Sequence, residues 1–297
     1  MTTALPMRVF TGRVVRTENL TRAMRRIVLG GAGLAGYAST GVGDEYVRLI
    51  FPTDGDREPV LPSVTGGALD YGSIDPATLR TYTVRDFDPA TGEVTVDVVL
   101  HAGGVAGRWA RAARPGDPVG ITTPHGLYSP PPGLRRQVLV ADCAGLPAAA
   151  RLLETTAAAV PTRLIAEVPD EDHYLRLDVP AGAEVTWVHG GNGHGPSRLA
   201  DIVRSLPRPE PGVDYLWVAG ETRILRDVRR YLRTELGLPA HAYKTVGYWT
   251  DGAESWRARY DALDAEIRAS LEALWTADAD PADIEIRYDE RLARLGL

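Results

Sequence analysis

The chain has 297 residues, of which 44% are hydrophobic and 24% charged, and its formal net charge is −6. This composition is that of a globular protein with a sizeable core, and it excludes a chain that is disordered throughout. The negative charge disfavours general binding to nucleic acids or anionic membranes. The single cysteine, Cys143, excludes an intrachain disulfide, and no apolar run reaches the roughly 18 residues of a membrane span. We therefore expect a cytoplasmic protein with no nucleic-acid or membrane partner.

The first part of the chain is predicted to form short strands separated by turns. Two strands are predicted within 8–29 and one each at 46–51, 80–85, 93–101 and 118–122, with a long loop over 53–78. Val94, Val96 and Val98 alternate with polar residues, as expected of a strand with one buried face. Several short strands at this spacing are typical of an antiparallel β-barrel or sandwich.

A change of pattern near residue 133 predicts a second domain, after the linker Pro130-Pro131-Pro132-Gly133. Strands are predicted at 137–141, 163–168, 184–189, 215–219 and 242–248, and helices at 147–159, 197–205 and 222–236. Strands that alternate with helices indicate a parallel α/β sheet. The predicted fold class is therefore β + α/β, with an antiparallel β-barrel domain over 1–132 and a nucleotide-binding α/β domain over 133–297.

The tail of the chain departs from both patterns. Apolar residues recur at spacings of four and three from Trp256 to Leu274, which predicts a C-terminal amphipathic helix. A short final helix is predicted over 284–297. These helices either pack on their own chain or form a dimer interface, so we expect a monomer or a weak dimer.

Two segments of the predicted barrel are candidates for a binding site. The first is the strand Arg80–Thr83, which taken alone is an ordinary strand with one charge. The second is the turn at 101–110, where a predicted strand ends at His101 and a helix begins near Ala106, after Gly103 and Gly104. Glycines and free helix N–H groups suit a pyrophosphate, although an ordinary strand-to-helix turn has the same pattern. The histidines and the cysteine lack the spacing of a metal site, so none is predicted.

An ordered set of motifs resembles the siderophore-interacting protein family, the ferric-siderophore reductases with a ferredoxin-reductase-like fold. The matching segments run from residue 80 to residue 249 and are Arg80–Thr83, Val99–His101, Gly104–Ala110, Gly116-Asp117, Asp142–Ala148, Ala219–Glu221 and Gly247–Trp249. Each motif is weak alone, but the order of the set is specific. The resemblance implies a noncovalently bound FAD on the barrel.

The same resemblance implies a role for individual residues. It implies that Arg80 pairs with an FAD phosphate, that Tyr82 packs on the isoalloxazine ring, and that the Thr83 hydroxyl lies near flavin N5. Thr83 and Trp249 are the implied catalytic residues. The implied FAD-binding residues are Arg80, Thr81, Tyr82, Thr83, Val99, His101, Ala106, Gly107, Arg108, Trp109, Ala144 and Trp249. The implied nicotinamide-binding residues are Asp142, His189 and Glu221.

Three departures from the family pattern bear on these roles. Val105 replaces a proline in the turn, which backbone N–H binding should tolerate. Cys143-Ala144-Gly145 replaces Glu-Thr-Ala, so acidic and hydroxyl side chains near the nicotinamide edge are missing. The segment 190–193 has no basic residue, which favours NADH over NADPH because a 2′-phosphate would lack a cation.

The resemblance implies an FAD-dependent reductase that passes electrons from NADH or NADPH to ferric siderophores and releases Fe(II). Ferric siderophores are frequently anionic, so a basic rim is expected; its candidates are Arg48, Arg85, Arg108, Arg257 and Lys244, the only lysine. Two alternatives stay open. One is a flavin reductase or an electron-transfer partner of another redox enzyme, and the other is a siderophore-binding protein without nicotinamide turnover.

Overall fold

Strands dominate the first part of the chain in a computed structural model, which describes residues 5–53, 58–70, 72, 74–101, 104–156, 158–276 and 281–297. The elements are β1 (Val9–Thr21), β2 (Met24–Gly30), β3 (Tyr46–Ile50), β4 (Ser63–Thr65), β5 (Ala68–Asp70), β6 (Leu79–Thr83), β7 (Asp86–Asp88), β8 (Glu93–Val99), α1 (Val105–Ala112) and β9 (Pro118–Thr122). Seven strands form one antiparallel sheet in the order β6-β3-β9-β1-β2-β8-β7, and β4 pairs with β5 in a separate hairpin.

A single short segment of chain connects the two end strands of the seven-stranded sheet and closes it into a barrel. β6 pairs with β3 at one end of the sheet, and β7 pairs with β8 at the other end. Only Val84 and Arg85 separate β6 from β7, and the Arg85 backbone N–H donates to the Thr95 carbonyl of β8 at 2.8 Å. Both ends of the sheet therefore meet at this segment, and the enclosed barrel is filled by side chains that include Val94, Val96 and Val98.

The second part of the chain forms a parallel sheet covered by helices on both faces. Its elements are β10 (Arg136–Asp142), α2 (Leu146–Thr155), β11 (Thr162–Val168), β12 (Ala183–His189), α3 (Leu199–Ser205), β13 (Asp214–Glu221), α4 (Thr222–Arg230) and β14 (Tyr243–Trp249). The strand order is β12-β11-β10-β13-β14, and all neighbours are parallel. Alternate residues of β10 pack against α2 on one face and against α3 and α4 on the other, which explains its continuous apolar sequence.

The C-terminal residues form three helices, α5 (Ala253–Asp261), α6 (Ala265–Glu272) and α7 (Pro281–Arg294). Leu271, Leu292 and Leu297 form a small core between them. Ion pairs fasten α7 to α4, among them Arg229–Asp289 at 2.5 Å and Arg226–Asp289 at 3.2 Å. The helices therefore pack on their own chain. No helix in the described part of the chain has the length and apolar character needed to cross a bilayer.

The predicted fold class is confirmed, whereas several element bounds were wrong. The predicted loop over 53–78 contains the hairpin of β4 and β5, although 54–57, 71 and 73 lie outside the described residues. The strand expected to end at His101 ends at Val99, where β8 loses its pairing partner because β2 begins at Met24. The single helix expected over 256–274 is two helices, since Asp264 begins a new one.

Buried polar contacts join the barrel to the parallel sheet. The Trp217 indole N–H of β13 donates to the Asp44 carboxylate at 2.9 Å, and both residues are buried. Arg151 of α2 donates to the fully buried Glu45 carboxylate at 2.9 Å and to the Val84 carbonyl at 2.5 Å. Buried ions are tolerated only when such contacts satisfy them, so these pairs fix one sheet relative to the other.

Candidate flavin and nucleotide sites

Aromatic contacts bring the strand β6 and the helix α1 together on the barrel. The ring of Phe51 lies 6.5 Å from that of Tyr82 and 5.1 Å from that of Trp109, measured between centroids. Tyr82 and Trp109 are half-buried, while Arg80 and Thr81 on the same strand are exposed. The two predicted segments of the flavin site are therefore neighbours in space, joined through Phe51, and Arg80 is exposed on one of them.

The turn before α1 is shaped by glycine. Gly104 has φ +73°, and a Cβ on it would lie 3.1 Å from Cε1 of the exposed His101. A Cβ on Gly107 would lie 3.1 Å from the His101 carbonyl oxygen. Among the described residues no side chain caps this helix end. Gly103 lies outside the described residues.

These features fit a dinucleotide such as FAD. The first N–H groups of α1 and the helix dipole offer a place for phosphate oxygens. Ala106 and Gly107 are buried in this first turn, and Arg108 is exposed beside them. The Arg80 guanidinium donates to the carbonyls of Pro76 at 3.2 Å and Leu79 at 2.6 Å, so it must turn away from its own backbone to reach a phosphate.

A pair of hydroxyl groups links the barrel site to the parallel sheet. The Thr83 hydroxyl of β6 lies 3.0 Å from the Tyr248 hydroxyl of β14, within hydrogen-bond distance. Thr83 is buried, and burial raises the pKa of Tyr248, so the phenol stays protonated. Val99 packs against the core of the parallel sheet nearby. Sequence analysis missed Tyr248, although it lies within the Gly247–Trp249 motif.

The carboxyl ends of three adjacent strands each carry a buried acidic side chain: Asp142 on β10, Glu167 on β11 and Glu221 on β13. Each accepts hydrogen bonds from backbone N–H groups of its own domain, namely Ala144 and Gly145, Arg198, and Ile224 and Asp251, respectively. Burial raises the pKa of Asp142 to about 6, and burial also raises the pKa of Glu167. Sequence analysis predicted Asp142 and Glu221 here and missed Glu167.

Trp249 lies across this edge of the sheet. Its indole N–H donates to Oδ2 of Asp142 at 2.6 Å, and its carbonyl accepts from the Thr222 hydroxyl at 2.8 Å. Gly220 of β13 lies beneath, where an added Cβ would be 2.7 Å from the Asp142 carboxylate. The glycine therefore gives the carboxylate room to meet the indole.

The residues that depart from the family pattern take part in a separate contact. The Cys143 backbone N–H donates to the Asn192 side-chain oxygen at 2.8 Å. The Asn192 amide donates in turn to the carbonyls of Glu167 at 3.0 Å and Gly190 at 3.1 Å. The loop after β12 is thus tied to the end of β10. Burial raises the pKa of Cys143 to about 12, which keeps it a neutral thiol.

His189 and the proposed rim residues are spread more widely. His189 is exposed at the end of the outer strand β12, with its Nε2 2.9 Å from the Tyr174 hydroxyl. Arg48 is the cross-strand partner of Thr81 and so lies beside β6. Lys244 precedes Trp249 by five residues on β14, which separates them by roughly 16 Å along the strand. Arg257 is exposed on α5, 4.0 Å from Asp261. Of these four residues, strand pairing brings only Arg48 next to β6.

Comparison with solved structures defines the class of the fold. A ferredoxin NADP+ reductase from Neisseria gonorrhoeae is 13% identical and superposes with a TM-score of 0.58 over 81% of this chain and 99% of its own. A siderophore utilization protein from T. fusca is 34% identical, with a TM-score of 0.74 over 84% of this chain and 95% of its own. The architecture is therefore ferredoxin-reductase-like.

Sequence comparison then identifies the family. Residues 13–128 match the siderophore-interacting FAD-binding domain, and residues 134–252 match the siderophore-interacting protein domain. The chain belongs to the siderophore-interacting protein family. An uncharacterized protein of Mycobacterium tuberculosis is 32% identical over 83% of this chain and 91% of its own. The NADPH-dependent ferric-chelate reductase of Escherichia coli is 30% identical over 80% of this chain and 91% of its own.

Proposed function

We propose that this protein is an FAD-dependent reductase that passes electrons from NADH or NADPH to ferric siderophores in the cytoplasm. The observation that carries the proposal is the 3.0 Å contact between Thr83 and Tyr248, because it joins the flavin-binding strand to the end of β14. A flavin on the barrel and a nicotinamide at the carboxyl edge would therefore meet at the same junction. The name of the Escherichia coli relative supports this reaction.

Each part of the barrel site has a distinct task in this proposal. The first turn of α1 and the Arg80 guanidinium bind the phosphates, the first through backbone N–H groups and the second through charge. Tyr82 and Trp109 supply the apolar surface on which the ring system lies. The Thr83 hydroxyl, held by Tyr248, places a hydrogen-bonding group at the junction of the two domains.

FAD held at this site would supply the redox chemistry, which is acceptance of a hydride and release of electrons one at a time. One nicotinamide thus reduces two ferric ions. Hard oxygen ligands hold Fe(III) more strongly than Fe(II), so reduction loosens the chelate. Arg48 beside Thr81 is the rim residue best placed to attract an anionic chelate to the flavin strand.

The test is anaerobic turnover of the purified protein with FAD, a ferric siderophore and a ferrous trap. We expect a flavin absorption spectrum, loss of that absorption on mixing with NADH or NADPH, and trapped Fe(II) in the ratio of two per nicotinamide. A protein that does not bind FAD would overturn the proposal. Reduction of free flavins in preference to the chelate would identify a flavin reductase instead.

A siderophore-binding protein without nicotinamide turnover is the second candidate. The row formed by Asp142, Glu167 and Glu221 favours it, because buried acidic groups at the carboxyl edge oppose an anionic dinucleotide. This candidate predicts that the protein binds the ferric siderophore while neither NADH nor NADPH bleaches the flavin.

A further inference from the structure

The indole of Trp249 spans the carboxyl edge of the parallel sheet. Its side chain starts from the end of β14, its N–H reaches Asp142 at the end of β10, and its Cη2 lies 4.0 Å from the position of a Cβ on Gly193. The ring therefore crosses the end of β13, the strand between β14 and β10.

This is the place where a dinucleotide is expected to bind. β10 is the first strand of the sheet, and the chain places β11 on one side of it and β13 on the other. In open α/β sheets, ligands bind in the crevice at such a switch point, beyond the carboxyl ends of the strands. Trp249 lies over that crevice and is half-buried there.

We propose that Asp142 and Trp249 form a latch that closes the nucleotide crevice, and that a nicotinamide dinucleotide binds only after the indole has turned away from the carboxylate. This inference rests on the proposed function. Asp142 is a positioning residue in it, since it acts on the dinucleotide through Trp249.

The hydrogen bonds around the latch show which part moves. The backbone from 249 to 251 is fixed to the end of β13 by the Glu221 carboxylate and to the start of α4 by the Thr222 hydroxyl and the Arg223 guanidinium. Among the described residues the indole makes one hydrogen bond, to Asp142, and Gly193 beside its far end has no side chain to hold it. Opening is therefore a rotation of the Trp249 side chain over a fixed backbone.

The two carboxylate oxygens of Asp142 have different partners, and the latch depends on only one of them. Its Oδ1 accepts from the backbone N–H groups of Ala144 and Gly145, while Oδ2 accepts from the indole. In Asp142→Asn one of these positions becomes an NH2 group, which faces a donor. The variant therefore loses either the turn contacts or the latch, whereas Trp249→Phe removes the latch and leaves the turn intact.

The test uses the full-length protein with oxidised FAD bound and measures the affinity of NAD+ and NADP+ by calorimetry, so that no electron transfer occurs. We expect Trp249→Phe to bind at least one of them about tenfold more tightly, because a hydrogen bond to a charged group no longer has to break. The KM for the matching reduced form should fall by a similar factor. The exposed Trp275 provides the matched control, and Trp275→Phe should leave the affinity unchanged.

Thermal unfolding separates the latch from a purely structural role. A structural role predicts that Trp249→Phe lowers the Tm without tightening the dinucleotide affinity, and that result would overturn the latch. Unchanged or weaker binding at an unchanged Tm would also overturn it, while leaving the proposed reductase function standing. If neither nucleotide binds to wild type or variant, the latch and the nicotinamide donor are both wrong, and the flavin spectrum still tests the FAD site independently.

Discussion

The predicted flavin cradle, formed by Arg80–Thr83 and the first turn of α1, differs from the carboxyl edge of the parallel sheet in how its polar groups are satisfied. The cradle keeps its groups accessible: Arg80 is exposed, and the helix end at Gly104 has no side-chain cap among the described residues. The carboxyl edge satisfies its own groups, since Asp142 and Glu221 accept hydrogen bonds from the protein itself. A ligand on the cradle would displace only the exposed hydrogen bonds of Arg80, whereas under the proposed latch a dinucleotide at the carboxyl edge would displace a hydrogen bond to a buried carboxylate.

The largest expected effect concerns the junction on which both regions depend. Arg151→Ala leaves Glu45 buried without its cation, so we expect the free energy of unfolding to fall by about 3–5 kcal/mol. Chemical denaturation measures it. The matched control is Arg22→Ala, which breaks the exposed pair with Asp172 and should cost about 1 kcal/mol or less. Equal losses in the two variants would contradict the role of the buried pair.

The next effect is a pH dependence of the free energy of unfolding, which arises from Asp142 at the carboxyl edge. Burial raises the pKa of Asp142 to about 6, above its value in the unfolded chain, so the folded protein binds the proton more tightly. The contribution of this group to stability is therefore present at low pH and falls as the pH rises from about 4 to above 6, by at most about 3 kcal/mol. The titratable groups that face Asp142 are Glu167, Cys143 and Tyr248.

Comparison with Asp142→Asn isolates that contribution. The free energy of unfolding of wild type minus that of the variant should decrease between pH 4 and pH 7, since Glu167 and the other neighbours are common to both proteins. Urea denaturation across this range measures the difference. A difference that rises with pH would show that Asp142 is stabilised as the anion in the folded protein.

A smaller effect tests the open character of the flavin cradle. Arg80→Ala should weaken FAD binding by about 10- to 100-fold, the amount expected for hydrogen bonds between a cation and a phosphate. Titration of the apoprotein with FAD gives the affinity. Because Arg80 is exposed and its hydrogen bonds to described residues go to the nearby carbonyls of Pro76 and Leu79, the apoprotein should keep its Tm. A large drop in Tm would mean that the guanidinium supports the fold, and Arg80→Lys should retain part of the affinity.

The smallest effect lies where the two regions meet. Thr83→Val and Tyr248→Phe each remove one hydroxyl of the 3.0 Å pair. A double-mutant cycle on the free energy of unfolding should give a coupling of about 0.5–1.5 kcal/mol. A coupling near zero would show that the two hydroxyls do not depend on each other in solution.

The sequence predicted the strands, the two domains and the fold class, because these depend on local residue patterns and on the order of short motifs. The alternating residues of β8 and the continuous apolar run of β10 indicated the barrel and the parallel sheet. The hairpin of β4 and β5 was missed, although Gly66-Gly67 between these strands is a turn signal. The break at Asp264 was missed because the apolar periodicity continues through it.

The site contacts that could not be predicted from the sequence join residues that are far apart along the chain. Thr83 and Tyr248 are separated by 165 positions, and only the packing of one sheet on the other brings them together. The bond between Cys143 and Asn192 joins two different strand ends in the same way. Neither pair has a periodicity or a spacing that a single sequence can reveal. The roles predicted for Arg80, Thr83 and Trp249 stay predictions, and the experiments above test them.

The short connection between β6 and β7 has a consequence for how this barrel can vary. Val84 and Arg85 are the only residues between two strands that belong to opposite ends of one sheet. An insertion here would slide β6 along β3 or β7 along β8, and a slip of one residue turns every side chain of a strand to the other face. Tyr82 and Thr83 would exchange surroundings. We therefore expect natural variants of this protein to keep the length of this connection constant.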